Sequence, residues 1–144
     1  MARVKVITPE KIIGSICLPV RITDINYGNH LGNDALISLL HEARVSWLRK
    51  GGFSEMNIGN GGTIINELLV NYINESFYGD ILQIEISIGD YSSSSFEVYY
   101  HIHTKREEKS IIIAKAKTGM VCFDYEKRKI APLSDDFKKF LQII

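Results

Sequence analysis

The stretch DINYGNHLGNDALISLLHEARVSWLRK, residues 24–50, decides the fold. Its first ten residues, Asp24 to Asn33, form the densest polar run in the chain, with one carboxylate, three amides, one imidazole and two glycines. The period then changes. Leu36, Leu39, Leu40, Ala43 and Trp47 fall at i, i+3, i+4, i+7 and i+11, one stripe of a helix. Asn33 or Asp34 can cap its start and Gly51-Gly52 can stop it, with Arg49 and Lys50 in the favourable last turn. Ile37, Val45 and Leu48 widen the apolar surface beyond one stripe, so a long helix covered on most sides is expected. His41 and Glu42 need partners in such a setting, and Glu42 with Arg44 is expected to hold the helix to loop or sheet.

Outward from this stretch the chain reads as sheet. Before it, Ile12, Ile13, Ile16, Leu18, Val20 and Ile22 are extended, and Pro19 within them marks an edge strand or a bulge. After it, Gly51 to Gly62 is a loop; its Gly59-Asn60-Gly61-Gly62 lacks the Lys-Ser/Thr of a phosphate-binding loop. Thr63 to Tyr72 reads as a strand. Leu82, Ile84, Ile86 and Ile88 alternate with polar residues, as do Phe96, Val98, Tyr100 and Ile102. In Ser110 to Phe123 a narrow face of Ile112, Ala114, Ala116, Thr118, Met120 and Cys122 lets a helix approach closely. Turns fall at Tyr78-Gly79-Asp80, Ser92 to Ser95, Lys105 to Lys109 and Tyr125 to Lys129, and Ser134 caps a short last helix. Strands do not alternate with helices, so a parallel doubly wound sheet is excluded. The order predicts an α+β domain: about five antiparallel strands curved around one long central helix.

Composition sets further bounds. The chain has 144 residues, one domain's worth, with 45% hydrophobic and 24% charged residues, which is globular rather than disordered. Lys+Arg and Asp+Glu both number 17, and this balance argues against a nucleic-acid partner held through phosphates while permitting self-association. Two cysteines, Cys17 and Cys122, make no disulfide framework and read as small buried hydrophobes in a reducing compartment. Met1 to Ile7 alternates charged and apolar residues, unlike a signal peptide, and no run approaches the ~20 apolar residues of a membrane span. A cytoplasmic location is expected.

The chemistry is expected in the polar run. Turn and cap chemistry explains most of its residue types. It does not explain an unsplit polar segment of this length leading into a nearly all-apolar helix. Asp24 offers a general base, the amides and His30 can hold water, and the helix N-terminus offers N–H groups to a developing oxyanion. The run contains no Ser or Cys, so attack by water is the simpler chemistry. His101 and His103 stand two apart on one strand, but a metal site needs a third ligand that the sequence places nowhere near, and no metal is assigned. They read as solvent-facing or interface residues.

The run Asp24 to Asn33, continued by Glu42-Ala43-Arg44 and a glycine after the helix, resembles the hotdog-fold acyl-CoA thioesterases of the 4-hydroxybenzoyl-CoA thioesterase type. Their signature is Asp-Thr-Asp-x-x-Gly-His-Val-Asn-Asn before a helix with Glu-Ala-Arg. Asn71-Tyr72 through Tyr78-Gly79-Asp80, and Phe123-Asp124 to Pro132, are similar to later parts of that family. Counting back from His30, the family's catalytic second aspartate falls on Asn26 and its first on Asp24. If Gly28-Asn29 stands where the pattern has glycine alone, Asp24 shifts towards the catalytic place. An amide cannot take a proton from water, so Asp24 is assigned as general base or nucleophile. Plant acyl-ACP thioesterases are also similar here, with Asp-x-Asn-x-His, which gives Asn26 an orienting role.

The resemblance implies hydrolysis of a fatty or aromatic acyl-CoA by Asp24, Asn26, His30 and Asn33. It places the substrate against Leu31 and Gly32, with Glu67 reaching over from a neighbouring subunit and Arg128 and Lys129 on the CoA phosphates. A homodimer or homotetramer follows, with no cofactor, since coenzyme A is part of the substrate. Two rivals stand beside it. An enoyl-CoA hydratase has the similar motif Asp-x-Asn-Pro-x-His, from which this chain lacks the proline and has an extra residue before His30. A non-catalytic acyl-CoA or acyl-carrier binding module is supported by Asn26 itself.

Overall fold

The computed structural model describes residues 3–144; Met1 and Ala2 of the alternating N-terminal stretch lie outside the described residues. The elements are β1 (Gly14–Pro19), a 3₁₀ turn (Ile22–Asp24), α1 (Asn33–Lys50), β2 (Gly62–Tyr72), β3 (Ile81–Tyr91), β4 (Ser95–Arg106), β5 (Lys109–Asp124), β6 (Lys129–Ile130) and α2 (Asp135–Phe140). Every strand pair is antiparallel, in the order β1-β3-β4-β5-β2 with β6 on β5. The sheet therefore has six strands rather than five, the extra one being the two-residue β6. Pro19 ends β1, which is an edge strand as its proline predicts.

One face of the sheet is apolar because the alternation is kept. Ile84 and Ile86 of β3, Val98, Tyr100 and Ile102 of β4, and Ala114 and Ala116 of β5 are fully buried in one core with Leu36, Leu40, Ala43 and Trp47 of α1. The small side chains of β5 leave room for the helix. The expected row loses Ile112, because a register shift after Ile102 turns Ile113 inward in its place. Ser134 caps α2, accepting the Phe137 N–H at 3.1 Å, and Phe137 and Phe140 close the core against Phe53 and Trp47.

α1 departs from expectation in three ways. It has 18 residues, about 27 Å, moderate rather than long. Its N-cap is Gly32, with Asn33 and Asp34 already inside the first turn. It is also not covered all round: Asp34, Ile37, Ser38, His41 and Glu42 are exposed. Arg44 does tie the helix to loop and sheet, though through Glu55 (3.3 Å) and the Tyr100 hydroxyl (3.0 Å) rather than with Glu42; Tyr100 in turn meets Thr118 at 2.7 Å. His41 also takes Glu55, at 2.6 Å.

The chain N-terminal to β1 is a strap across the sheet face opposite α1. Asn71 on β2 holds the Val4 carbonyl (3.0 Å) and the Val6 N–H (2.7 Å). Ser87 on β3 donates to the Pro9 carbonyl at 3.3 Å, and Ile13 N–H bonds Ile86 at 2.8 Å. Cys122 is buried as expected, whereas Cys17 is exposed on β1. Among the described residues no helix is long and apolar enough to cross a membrane.

Candidate active site

The polar run folds into a tight hairpin at the N-terminus of α1. Ile25 bridges Leu31, Asn26 N–H bonds the His30 carbonyl (2.9 Å), and Asn29 N–H bonds the Asn26 carbonyl (3.0 Å). Asn29 takes a φ of 66°, a left-handed conformation that asparagine tolerates. That residue is what lets the hairpin carry both Gly28 and Asn29. The Gly28 N–H donates to Asn26 Oδ1 at 2.9 Å, which fixes the amide; its Nδ2 donors have no partner among the described residues. A side chain at Gly28 would lie 3.1 Å from His30 Nε2 and 3.3 Å from Asn26 Oδ1. Glycine therefore keeps both polar atoms open.

His30 is oriented by a carbonyl. Its Nδ1 lies 3.2 Å from the Leu31 oxygen, an acceptor only, so Nδ1 is the donor in this contact. Nε2 stands 3.9 Å from Glu75 Oε1, a gap that one water can bridge.

Asn26, His30, Gly32, Asn33 and Asp34 form one wall of a groove of about 740 Å³, within the range of ligand sites. The other wall is Tyr72 and Ile73–Ser76, with Ile113 at the base. Tyr72 donates to the Asn33 carbonyl at 2.8 Å; burial, then the Asp34 charge, pushes its phenol up, so it stays a donor. Asp80 anchors the second wall. It accepts from Ser76 Oγ (2.8 Å), the Phe77 N–H (2.9 Å) and Arg106 Nη2 (2.6 Å), while Arg106 also donates to the Glu75 carbonyl (2.9 Å). Burial alone would raise the Asp80 carboxyl; these hydrogen bonds and the Arg106 charge hold it below the usual range.

Of the sequence candidates, the structure brings together Asn26, His30, Leu31, Gly32 and Asn33. It does not bring Asp24 with them. That residue is 6% exposed and is no part of the groove wall. Its Oδ2 accepts the Arg21 N–H at 2.9 Å, and Arg21's guanidinium lies 3.4 Å from each oxygen, closing the 3₁₀ turn. The Asp24 backbone carbonyl, not its side chain, serves the site by accepting the Gly32 N–H (2.9 Å). The Leu31 N–H is likewise taken, by the Ser76 carbonyl (2.7 Å). The Asp34 and Ala35 N–H groups are taken by the Asn33 and Asp34 side chains. Among the described residues this leaves Asn33's N–H as the uncommitted donor of the first turn, narrowing the expected span Leu31 to Asn33 to one group.

Glu67, Arg128 and Lys129 also stand away from this groove. Glu67 is paired with Lys117 at 2.6 Å in a separate depression, Arg128 lies over the Phe123 ring, and Lys129 is exposed on β6. Tyr72, Glu75 and Ser76 were not anticipated. The polar triplet Asn74-Glu75-Ser76 between a strand and Gly79 was the available signal. Away from the groove, His101 and His103 meet a third group after all: Glu85 Oε1 lies 3.6 Å and 3.5 Å from their Nδ1 atoms.

Helix-capped groove and sheet together define a hotdog-fold thioester hydrolase. The family model of the thioesterase-like superfamily matches residues 20–141, and the chain belongs to that family. A 1,4-dihydroxy-2-naphthoyl-CoA hydrolase from Microcystis aeruginosa is 28% identical over 109 residues, 74% of this chain and 76% of the relative. A solved 1,4-dihydroxy-2-naphthoyl-CoA thioesterase from Synechocystis superposes with a TM-score of 0.78 at 23% identity, covering 89% of this chain and 94% of that one. An aspartate-to-asparagine mutant of 4-hydroxybenzoyl CoA thioesterase, complexed with 4-hydroxybenzoyl CoA, superposes with a TM-score of 0.79 at 16% identity, covering 88% and 96%.

Proposed function

We propose that this protein hydrolyses the thioester of an aromatic acyl-CoA in the groove at the N-terminus of α1. The observation that carries the reading is convergence: Asn26, His30, Asn33 and Glu75 all line one groove, with His30 Nε2 beside the Glu75 carboxylate. The names of the relatives support the CoA ester and the aromatic acyl group.

In this reading a water sits between His30 Nε2 and Glu75. Its oxygen attacks the thioester carbonyl carbon while Nε2 takes its proton. The oxyanion is met by the Asn33 N–H, at the positive end of the helix, and by Asn26 Nδ2. Collapse expels the CoA sulfur, which takes the proton from His30, and the free acid leaves. The role of general base passes from Asp24 to His30, because the Asp24 carboxylate is committed to Arg21. Asp24 is a positioning residue for Gly32 and the helix start.

A second copy of the chain has a surface to meet. Ile37 of α1 and Ile64, Ile65 and Leu68 of β2 are exposed side by side around a depression, and β2 is a sheet edge. Burying that face would form the expected homo-oligomer and could bring Glu67, Arg128 or Lys129 of a neighbour towards a groove. Light scattering coupled to size exclusion tests this, with a monomer at 50 μM as the refuting result.

Free-thiol release from 1,4-dihydroxy-2-naphthoyl-CoA, benzoyl-CoA and palmitoyl-CoA tests the function. Turnover of the aromatic esters supports it. Recovery of intact acyl-CoA with the protein, and no thiol from any ester, would instead identify a binding module.

A further inference from the structure

Glu85, His101 and His103 make up a second polar cluster, on the sheet face opposite α1. The cross-strand register sets it up: Glu85 of β3 pairs directly with His101 of β4, and His103 follows two residues on, on the same face. All three side chains are mostly buried, at 20%, 27% and 14% exposure. Both imidazole Nδ1 atoms are shielded from solvent, and among the described residues neither has a hydrogen-bond partner. They lie 3.6 Å and 3.5 Å from Glu85 Oε1, too long for N–H···O bonds of about 2.7–3.2 Å. Two orphaned buried nitrogens facing one carboxylate oxygen are costly unless something sits among them.

A metal ion suits these dimensions. Zinc binds imidazole nitrogen and carboxylate oxygen at about 2.0–2.2 Å, which places tetrahedral ligand atoms about 3.3–3.6 Å apart. Two of the three ligand separations already have that value, and all three atoms lie within 4.8 Å of one another.

We propose that His101 Nδ1, His103 Nδ1 and Glu85 Oε1 form a binding site for a divalent transition ion of the zinc class, with water completing the tetrahedron. Two nitrogens and one oxygen favour zinc over magnesium or calcium, which take oxygen ligands. The site lies across the sheet from the hydrolytic groove, so the ion takes no part in the chemistry. It ties β3 to β4 close to Ser87, where the N-terminal strap is held.

The test is isothermal titration of chelator-treated, dialysed protein with ZnCl₂, in a Cys17→Ser background that removes the exposed thiol. One ion per chain with a micromolar or tighter dissociation constant is expected, together with a rise in melting temperature. His101→Gln, His103→Gln and Glu85→Gln should each weaken binding at least tenfold, and the double histidine variant should abolish both binding and the thermal shift. Thiol release from an aromatic acyl-CoA should be unchanged in these variants. No saturable binding up to 1 mM ZnCl₂, or binding of equal strength in the folded double variant, would overturn the assignment.

Discussion

Replacing Asp80 by asparagine removes the charge that pins the second wall of the groove. The carboxylate takes four hydrogen bonds, two of them charge-assisted bonds from Arg106, the shorter at 2.6 Å. Such a bond contributes about 1.5–3 kcal/mol, and the pair is only partly shielded, with side-chain exposures of 14% and 28%. A loss of about 2 kcal/mol is expected, a fall of about 4–8 °C in melting temperature for a chain of this size. The pH dependence gives the effect a signature. Asp80 is depressed in the folded protein, so its contribution is fully present above the unfolded value of about 3.9 and is lost as pH falls through the folded value. The gap between wild type and Asp80→Asn should stay constant from pH 7 to pH 5 and close below about pH 4. Because Arg106 also holds the Glu75 carbonyl, and Glu75 flanks the attacking water, kcat/KM for the acyl-CoA should fall several-fold. Thermal melts across pH, with steady-state thiol release at pH 7.5, read both effects. Equal stability at pH 7, or a gap that widens between pH 5 and pH 3, would refute the reasoning.

Three further outcomes are expected. Gly14→Ala places a methyl 2.6 Å from Cδ1 of the buried Trp47 and should cost about 1–2 kcal/mol by denaturant titration. Asn26→Asp keeps an acceptor for the Gly28 N–H but removes the Nδ2 donors assigned to the oxyanion and puts a negative charge there, so thiol release should fall at least tenfold. Cys17 should react with Ellman's reagent in the native protein, whereas Cys122, buried and with its thiol pushed up by that burial and by Asp124, should react only on unfolding.

The fold was legible wherever one period held. Leu36 to Trp47 could only be a helix, and the alternations of β3 and β4 only strands with one buried face. The reading failed where a local interruption intervened. A bulge exchanges Ile112 for Ile113, and Gly32 rather than Asn33 caps α1 because the preceding hairpin brings its N–H to the Asp24 carbonyl. The site was half legible. Asn26, His30 and Asn33 follow from one contiguous run, but Asp24 was judged by its residue type, and its side chain is taken by Arg21, three residues earlier. Glu75 and Glu85 were out of reach, since each meets its histidine only through the pairing of distant segments.

The measurement closest to the central claim is thiol release from one aromatic acyl-CoA by wild type, His30→Gln and Asp24→Asn, each first verified as folded. The account predicts turnover by wild type, a fall of about 10²–10⁴-fold in His30→Gln, and retention of most of kcat in Asp24→Asn. Full activity in His30→Gln with loss in Asp24→Asn would contradict it and return the base to the carboxylate.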